Sequence, residues 1–188
     1  MTYEFLTPPE RFPAFQSMDT NTAKRHFEWF VGQQQKRIDV LRRQCEVDGV
    51  LLSPTATQES LELLGAWARS RVEVIEEPLP KNSLAAQLLV TLGTSPARLS
   101  ERTLGVVVDV SFYVATYFLA QSSGVQWVLW KKRGNNYNRP VLSGFGKIPL
   151  VPAHLVVAAV WGWAHVPESP PDDLTRRVIV WENDIKPA

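Results

Sequence analysis

The side chains able to do chemistry in this chain are few and scattered. His26, His154 and His165 include no pair at the H-E-x-x-H or H-x-x-x-H spacing that turns two imidazoles toward one metal. Cys45 is the only cysteine, which excludes an intramolecular disulfide and a cysteine-rich zinc site. Pairing Cys45 with His26 as nucleophile and base fails on distance, because nineteen residues of helix span about 28 Å. Gly144-Phe145-Gly146 has a G-x-G spacing, but no nucleophile elbow, phosphate-binding loop or dinucleotide fingerprint occurs. No catalytic residue, metal or cofactor is therefore expected.

Charge gives the stronger lead. Between Val110 and Pro167 there is no Asp or Glu, yet Lys131, Lys132, Arg133, Arg139, Lys147 and four of the seven Trp lie there. Net charge is only +1 overall, so no global argument for nucleic acid or membrane exists. Residues 1–80 hold nine basic and twelve acidic side chains, and residues 81–188 hold eleven and seven. A chain polarised in this way is expected to close its acidic part over its basic part. Asp109, at the edge of the acid-free stretch, is the expected internal partner of Arg139 or Arg133. That pair is read as structural, with a small-ligand-binding or enzymatic pocket around Asp109 and Arg139 as the alternative. The remaining candidate surface is Lys131, Lys132, Arg133, Tyr137 and Arg139 with Trp130. Arg, Tyr and Trp favour a protein partner, whereas stacking on Trp127 and Trp130 would suit single-stranded nucleic acid. The cluster is short, so the protein partner ranks first.

These residues need elements to hold them. Residues 1–18 are rich in Pro and Phe and read as an extended arm, with Phe5, Phe12 and Phe15 as anchors. Asp19 to Asn21 offer a helix cap; Phe27, Phe30, Gln34, Ile38, Leu41 and Cys45 then follow at helical spacing. Arg37 falls among the charged residues assigned to the opposite, solvated face. Asp48-Gly49 terminates this helix. Ser53-Pro54 reads as the start of a second helix carrying Leu61, Leu64, Trp67 and Ala68, and Glu59 and Glu62 serve its dipole. Residues 73–83 form a connection, and Ser95-Pro96 looks like another helix start. Gly105 is placed to break that helix after one or two turns, while 106–120 is apolar all round and predicts a buried helix. Val125–Lys132 and Val141–Phe145 read as two strands of a hairpin, with Gly134, Asn135, Asn136 and Asn138 supplying its loop. Pro140 restricts the second run to an edge or a first strand position. His154–Ala164 reads as a helix and Arg177–Trp181 as a last strand.

The length suits one domain. The expected fold is α+β: several helices packed on a small antiparallel sheet, with 1–18 as arm, 19–166 as domain, and 167–188 as linker and possible edge strand. The opening residues lack a signal-peptide pattern. Asp109 interrupts the most apolar window, so no membrane span is expected. Together with the lone cysteine, this predicts a cytoplasmic protein; oligomeric state is not readable.

Two blocks carry a resemblance. One is Val50-Leu51-Leu52-Ser53-Pro54 with Glu59-Ser60-Leu61-Glu62-Leu63-Leu64 and Trp67. The other is Tyr113–Gly124 with Val125-Gln126-Trp127, Asn138-Arg139-Pro140-Val141-Leu142 and Gly144-Phe145. Together they resemble a group of small bacterial proteins, some of them immunity-like or accessory to toxin systems. Leu52 stands where that group has an aspartate, and Ala115-Thr116 where it often has glycine–glutamate. The resemblance implies a binding or accessory domain and no catalytic residues.

Overall fold

A computed structural model describes residues 3–77, 80, 83–92, 98–166, 168–170 and 172–186. The elements run α1 (Thr20–Gly32), α2 (Gln34–Val47), α3 (Gln58–Arg69), α4 (Leu84–Leu92), α5 (Glu101–Gln121), β1 (Gln126–Leu129), β2 (Pro140–Ser143), α6 (Pro152–His165) and α7 (Asp173–Glu182). The fold is α+β: helices around a two-stranded antiparallel sheet, with Trp127 opposite Leu142 and Leu129 opposite Pro140.

Helix α5 is the axis of the core. Its neighbours are α2, α4 and α6, with α3 also against it. Every residue from Thr103 to Ala115 is buried, as expected of a helix apolar all round. By length and composition α5 could cross a membrane, but 83% of its most apolar window is covered by the rest of the chain. Gly105 does not break it. A Cβ there would come within 2.8 Å of the Phe5 ring and 3.1 Å of Tyr3, so the missing side chain is the seat of the N-terminal arm.

That arm is part of the core and not a loose appendage. Tyr3, Leu6, Phe12, Phe15 and Met18 are all buried, with a single 3-10 turn at Phe15–Ser17. Asp19 caps α1 by accepting the Thr22 N–H at 2.8 Å. The predicted long first helix is interrupted at Gln33, giving α1 and α2. Phe30, Ile38, Leu41 and Cys45 are buried as expected, but His26 and Arg37 join them on the inward face, while Phe27 is only half-buried. Gly49, at φ +78°, ends α2 as the Asp48-Gly49 pair suggested. Gln34 lies on this inner side because it is bonded on both sides. Its amide donates to Thr116 Oγ1 at 2.8 Å, and its carbonyl accepts the Trp127 indole N–H at 2.7 Å.

Other expectations are corrected. The second helix starts after Thr57, whose hydroxyl accepts the Ser60 N–H, and not at Ser53-Pro54. Ser95-Pro96 falls outside the described residues, and α4 had no counterpart among the expected elements. The segment read as a last strand is α7. Leu174, Thr175 and Val178 turn inward from it, and Asp172–Arg176 and Asp173–Arg177 pair at i,i+4 on its outer side. This helix packs on α3 and α6, which defeats the β preference of Val178-Ile179-Val180. Beyond α7, Ile185 makes a β-bridge to Phe145.

Candidate functional site

The hairpin loop is built by local backbone chemistry. Trp130 N–H donates to the Arg139 carbonyl, and Asn138 N–H to the Trp130 carbonyl at 2.8 Å. Gly134 (φ +135°) and Asn138 (φ +64°) take the left-handed positions that close it. Asn138 also fastens the loop to the arm, its amide donating to the carbonyls of Phe15 (3.2 Å) and Met18 (2.9 Å). So the loop is clamped at its base. Lys131, Lys132 and Arg133 stand exposed beyond that clamp, with Trp130 and Tyr137 half-buried beneath them. Gln16, Arg133, Gly134 and Tyr137 bound an open hollow of about 320 Å³.

The expected closure of acid over base takes another form. The arm does cover the hairpin base, but Glu4 pairs with Lys36 and Glu10 with Arg25, both within the N-terminal part. All nineteen acids of the chain are among the described residues. None pairs with Lys131, Lys132 or Arg133; the ion pairs lie elsewhere.

Arg139 is set apart from those cations. It is 8% exposed and stacks over the Phe15 ring, with its guanidinium carbon 5.3 Å from the centroid. Its Nη1 lies 2.9 Å from His154 Nε2, and its Nε has no hydrogen-bond partner. It borders a narrow cleft of about 20 Å³ with Phe15, Phe30, Trp127, Pro140 and Pro152. Burial lowers the guanidinium pKa, with no carboxylate to counter it.

The partner predicted for Asp109 is therefore not Arg139. Asp109 is 0% exposed and meets Arg37, itself 1% exposed, through two bonds: Nε to Oδ1 at 2.7 Å and Nη2 to Oδ2 at 2.6 Å. The Tyr3 hydroxyl donates to Oδ2, and Arg37 Nη2 also reaches the Glu4 carbonyl at 2.6 Å. Burial pushes the Asp109 carboxyl up to about 6 against the Arg37 and Tyr3 bonds. The Arg37 guanidinium, drawn down by burial, is raised on balance by the same carboxylate. Two short bonds to a cation that keeps its proton leave the charged pair as the state at neutral pH. Asp109 does not line the cleft holding Arg139. It joins arm, α2 and α5, and its place is closed to substrate.

His26 and Cys45 are likewise buried in packing, whereas His154 and His165 are exposed. His26 sits among Phe12, Phe15, Trp29 and Phe30 with centroids 4.7–6.0 Å away, and neither ring nitrogen has a partner. Burial drops its pKa to about 4. Burial raises the Cys45 thiol to about 12, which keeps it protonated and unreactive. Among the described residues no three His, Cys, Asp or Glu come together as a metal set. Trp127 is half-buried, packs edge-to-face with Phe30 and donates its indole N–H to Gln34.

Sequence reasoning missed Arg37 and Tyr3. The signal for Arg37 was present: it lies seven residues after Phe30 and four before Leu41, on the inward stripe. Its charge alone assigned it outward. No protein-family model matches the chain, and no match emerges among curated proteins or among solved structures.

Proposed function

We propose that this chain is a non-catalytic binding domain that docks an acidic protein surface on the hairpin tip formed by Lys131, Lys132, Arg133 and Tyr137. The observation that carries the reading is the set of three adjacent exposed cations with no ion pair to any acid of the chain. They stand on a loop clamped by Asn138. Cations on an ordered support lose less freedom on binding than cations on a floppy loop, and a one-signed patch steers an oppositely charged partner toward it. Tyr137 beside Arg133 adds an aromatic contact of the type that anchors interfaces. The resemblance to immunity-like and accessory proteins makes a toxin encoded beside this gene the first partner to try.

The test is a binding titration between this chain and the product of the neighbouring gene, with a Lys131→Glu/Lys132→Glu/Arg133→Glu variant alongside. All three side chains are exposed, so the variant keeps its thermal midpoint while affinity falls at least tenfold. Wild-type affinity also weakens between 50 and 300 mM salt, as exposed charge pairs are screened. Equal affinity for both forms at low salt would refute docking at the tip. Retention on single-stranded DNA, lost in the same variant, would move the reading to nucleic acid.

A further inference from the structure

Arg139 poses a different problem from the exposed cations at the tip. A guanidinium taken out of water normally meets a carboxylate, because an unpaired buried charge is costly. This chain shows the normal solution once. The Nε and Nη2 edge of Arg37 holds both oxygens of Asp109, at 2.7 and 2.6 Å. In Arg139 the Nη1 side is engaged by His154; the matching edge is unfilled, with Nε lacking any partner. Accepting from Nη1 requires His154 Nε2 to be unprotonated, so the histidine adds no charge of opposite sign.

The surroundings repeat the demand for an anion. The 14-residue helix α6 begins at the same cleft, through Val151, Pro152 and Ala153. It has no side-chain cap and no acid in its first turn, so its positive end is uncompensated. The hydroxyls beside the cleft have their protons committed to backbone carbonyls, which leaves Arg139 as the donor to an anion there. Ser111 donates to the Val107 carbonyl at 2.6 Å and Thr91 to the Gln87 carbonyl at 3.0 Å. The other walls are apolar or aromatic: Phe15, Phe30, Trp127 and Pro140. The enclosed space of about 20 Å³ takes one or two water-sized groups. That suits the two oxygens of a carboxylate and excludes a nucleotide or sugar.

We propose that this cleft is a carboxylate-binding site, in which the Nε and Nη2 edge of Arg139 holds the two oxygens of a short acid while its carbon end stays outside the narrow space. Phe15 lies against the guanidinium, 5.3 Å from its carbon to the ring centroid, and holds it at the cleft before the ligand arrives. A free short-chain acid and the side chain of a docked protein present the same group, and the experiment separates them. The site stands independently of docking at the hairpin tip.

The experiment is an NMR titration of the full chain, following the arginine Nε–H signals. Arg139 is identified by its NOE to the Phe15 ring, and Arg37, already occupied by Asp109, serves as internal control. Sodium acetate and sodium propionate are expected to shift the Arg139 signal saturably, half-way between about 0.1 and 10 mM, with Arg37 unmoved. Sodium chloride at equal ionic strength is expected to shift it at least threefold less. N-acetyl-glutamate amide saturating at a lower concentration than propionate assigns the site to a protein side chain; the reverse order assigns it to a free acid. Arg139→Lys keeps the charge but loses the fork, and weakens acetate at least tenfold. Where that variant does not fold, the wild-type comparison decides alone. An Arg139 signal that fails to move with any carboxylate, that moves as far in chloride, or that moves only in step with Arg37 overturns the proposal.

Discussion

Removing Arg37 tests the account of the core most directly. The substitution is Arg37→Met, which keeps much of the volume and removes the charge. In the folded protein Asp109 is 0% exposed and its cation 1% exposed, so water cannot replace the two lost bonds. A buried pair broken from one side costs about 3–5 kcal/mol, mostly the penalty of the stranded charge. The Glu4 carbonyl loses its donor as well, so the arm should loosen along with the core. Against a total stability of roughly 5–15 kcal/mol for a domain, that is a large share. At this length each kcal/mol shifts the thermal midpoint by about 2–4 °C, which puts the expected loss at about 6–20 °C. Asp109→Leu should cost a similar amount by stranding Arg37. The double variant removes both charges together and should cost less than the sum of the singles by at least about 2 kcal/mol. Equilibrium urea unfolding followed by tryptophan fluorescence, with far-UV circular dichroism as second probe, measures all three. A cost under about 1 kcal/mol for either single change, or strict additivity, would refute the view that this pair is closed to solvent and joins arm to core.

The arm carries two more predictions. His26 is neutral in the folded state with its pKa near 4, while the unfolded chain takes up its proton near 6.5. Stability from this residue is thus complete above 6.5 and declines as pH falls toward 4, by about 3 kcal/mol at the lower limit; His26→Leu should flatten that part of the urea-midpoint profile, and an unchanged slope would count against the partnerless cage. Asn138→Gly keeps the left-handed backbone but removes both bonds to the arm, so it should cost about 1–3 kcal/mol and speed hydrogen exchange at residues 15–18, with unaltered exchange there as the contrary result.

How much of this was legible depends on whether the signal was local. The Asp19 cap, the turn at Gly49, the hairpin loop and the buried helix over 106–120 were readable because each depends on neighbours in sequence. Pro140 was correctly restricted, and it stands as the first residue of β2. The failures are tertiary. Val178-Ile179-Val180 favours a strand by composition, yet contact with α3 and α6 together with two i,i+4 ion pairs makes it helix. Gly105 reads as a breaker by propensity, but the arm requires the close approach that only glycine permits there. Arg37 and Asp109 are 72 residues apart, and no local pattern states that an outward-reading arginine turns in to meet a core acid. At the candidate site, the exposed lysines were legible as charge, while the exclusion of Arg139 from that group was not.

That exclusion changes what the acid-free stretch means. Its five cations look equivalent in sequence but occupy two environments with opposite requirements. Lys131, Lys132, Arg133 and Lys147 are exposed and solvated, so they need no partner and any partner gains only screened attraction from them. Arg139 is 8% exposed, lies over Phe15 and keeps a buried Nε without a partner, which is the demand the proposed carboxylate would meet. Of the two acids that border the stretch, Asp109 is already committed to Arg37 and Glu168 makes no ion pair with Arg139. The absence of acids therefore does more than make a surface positive: it leaves one buried guanidinium edge unfilled beside the uncapped start of α6.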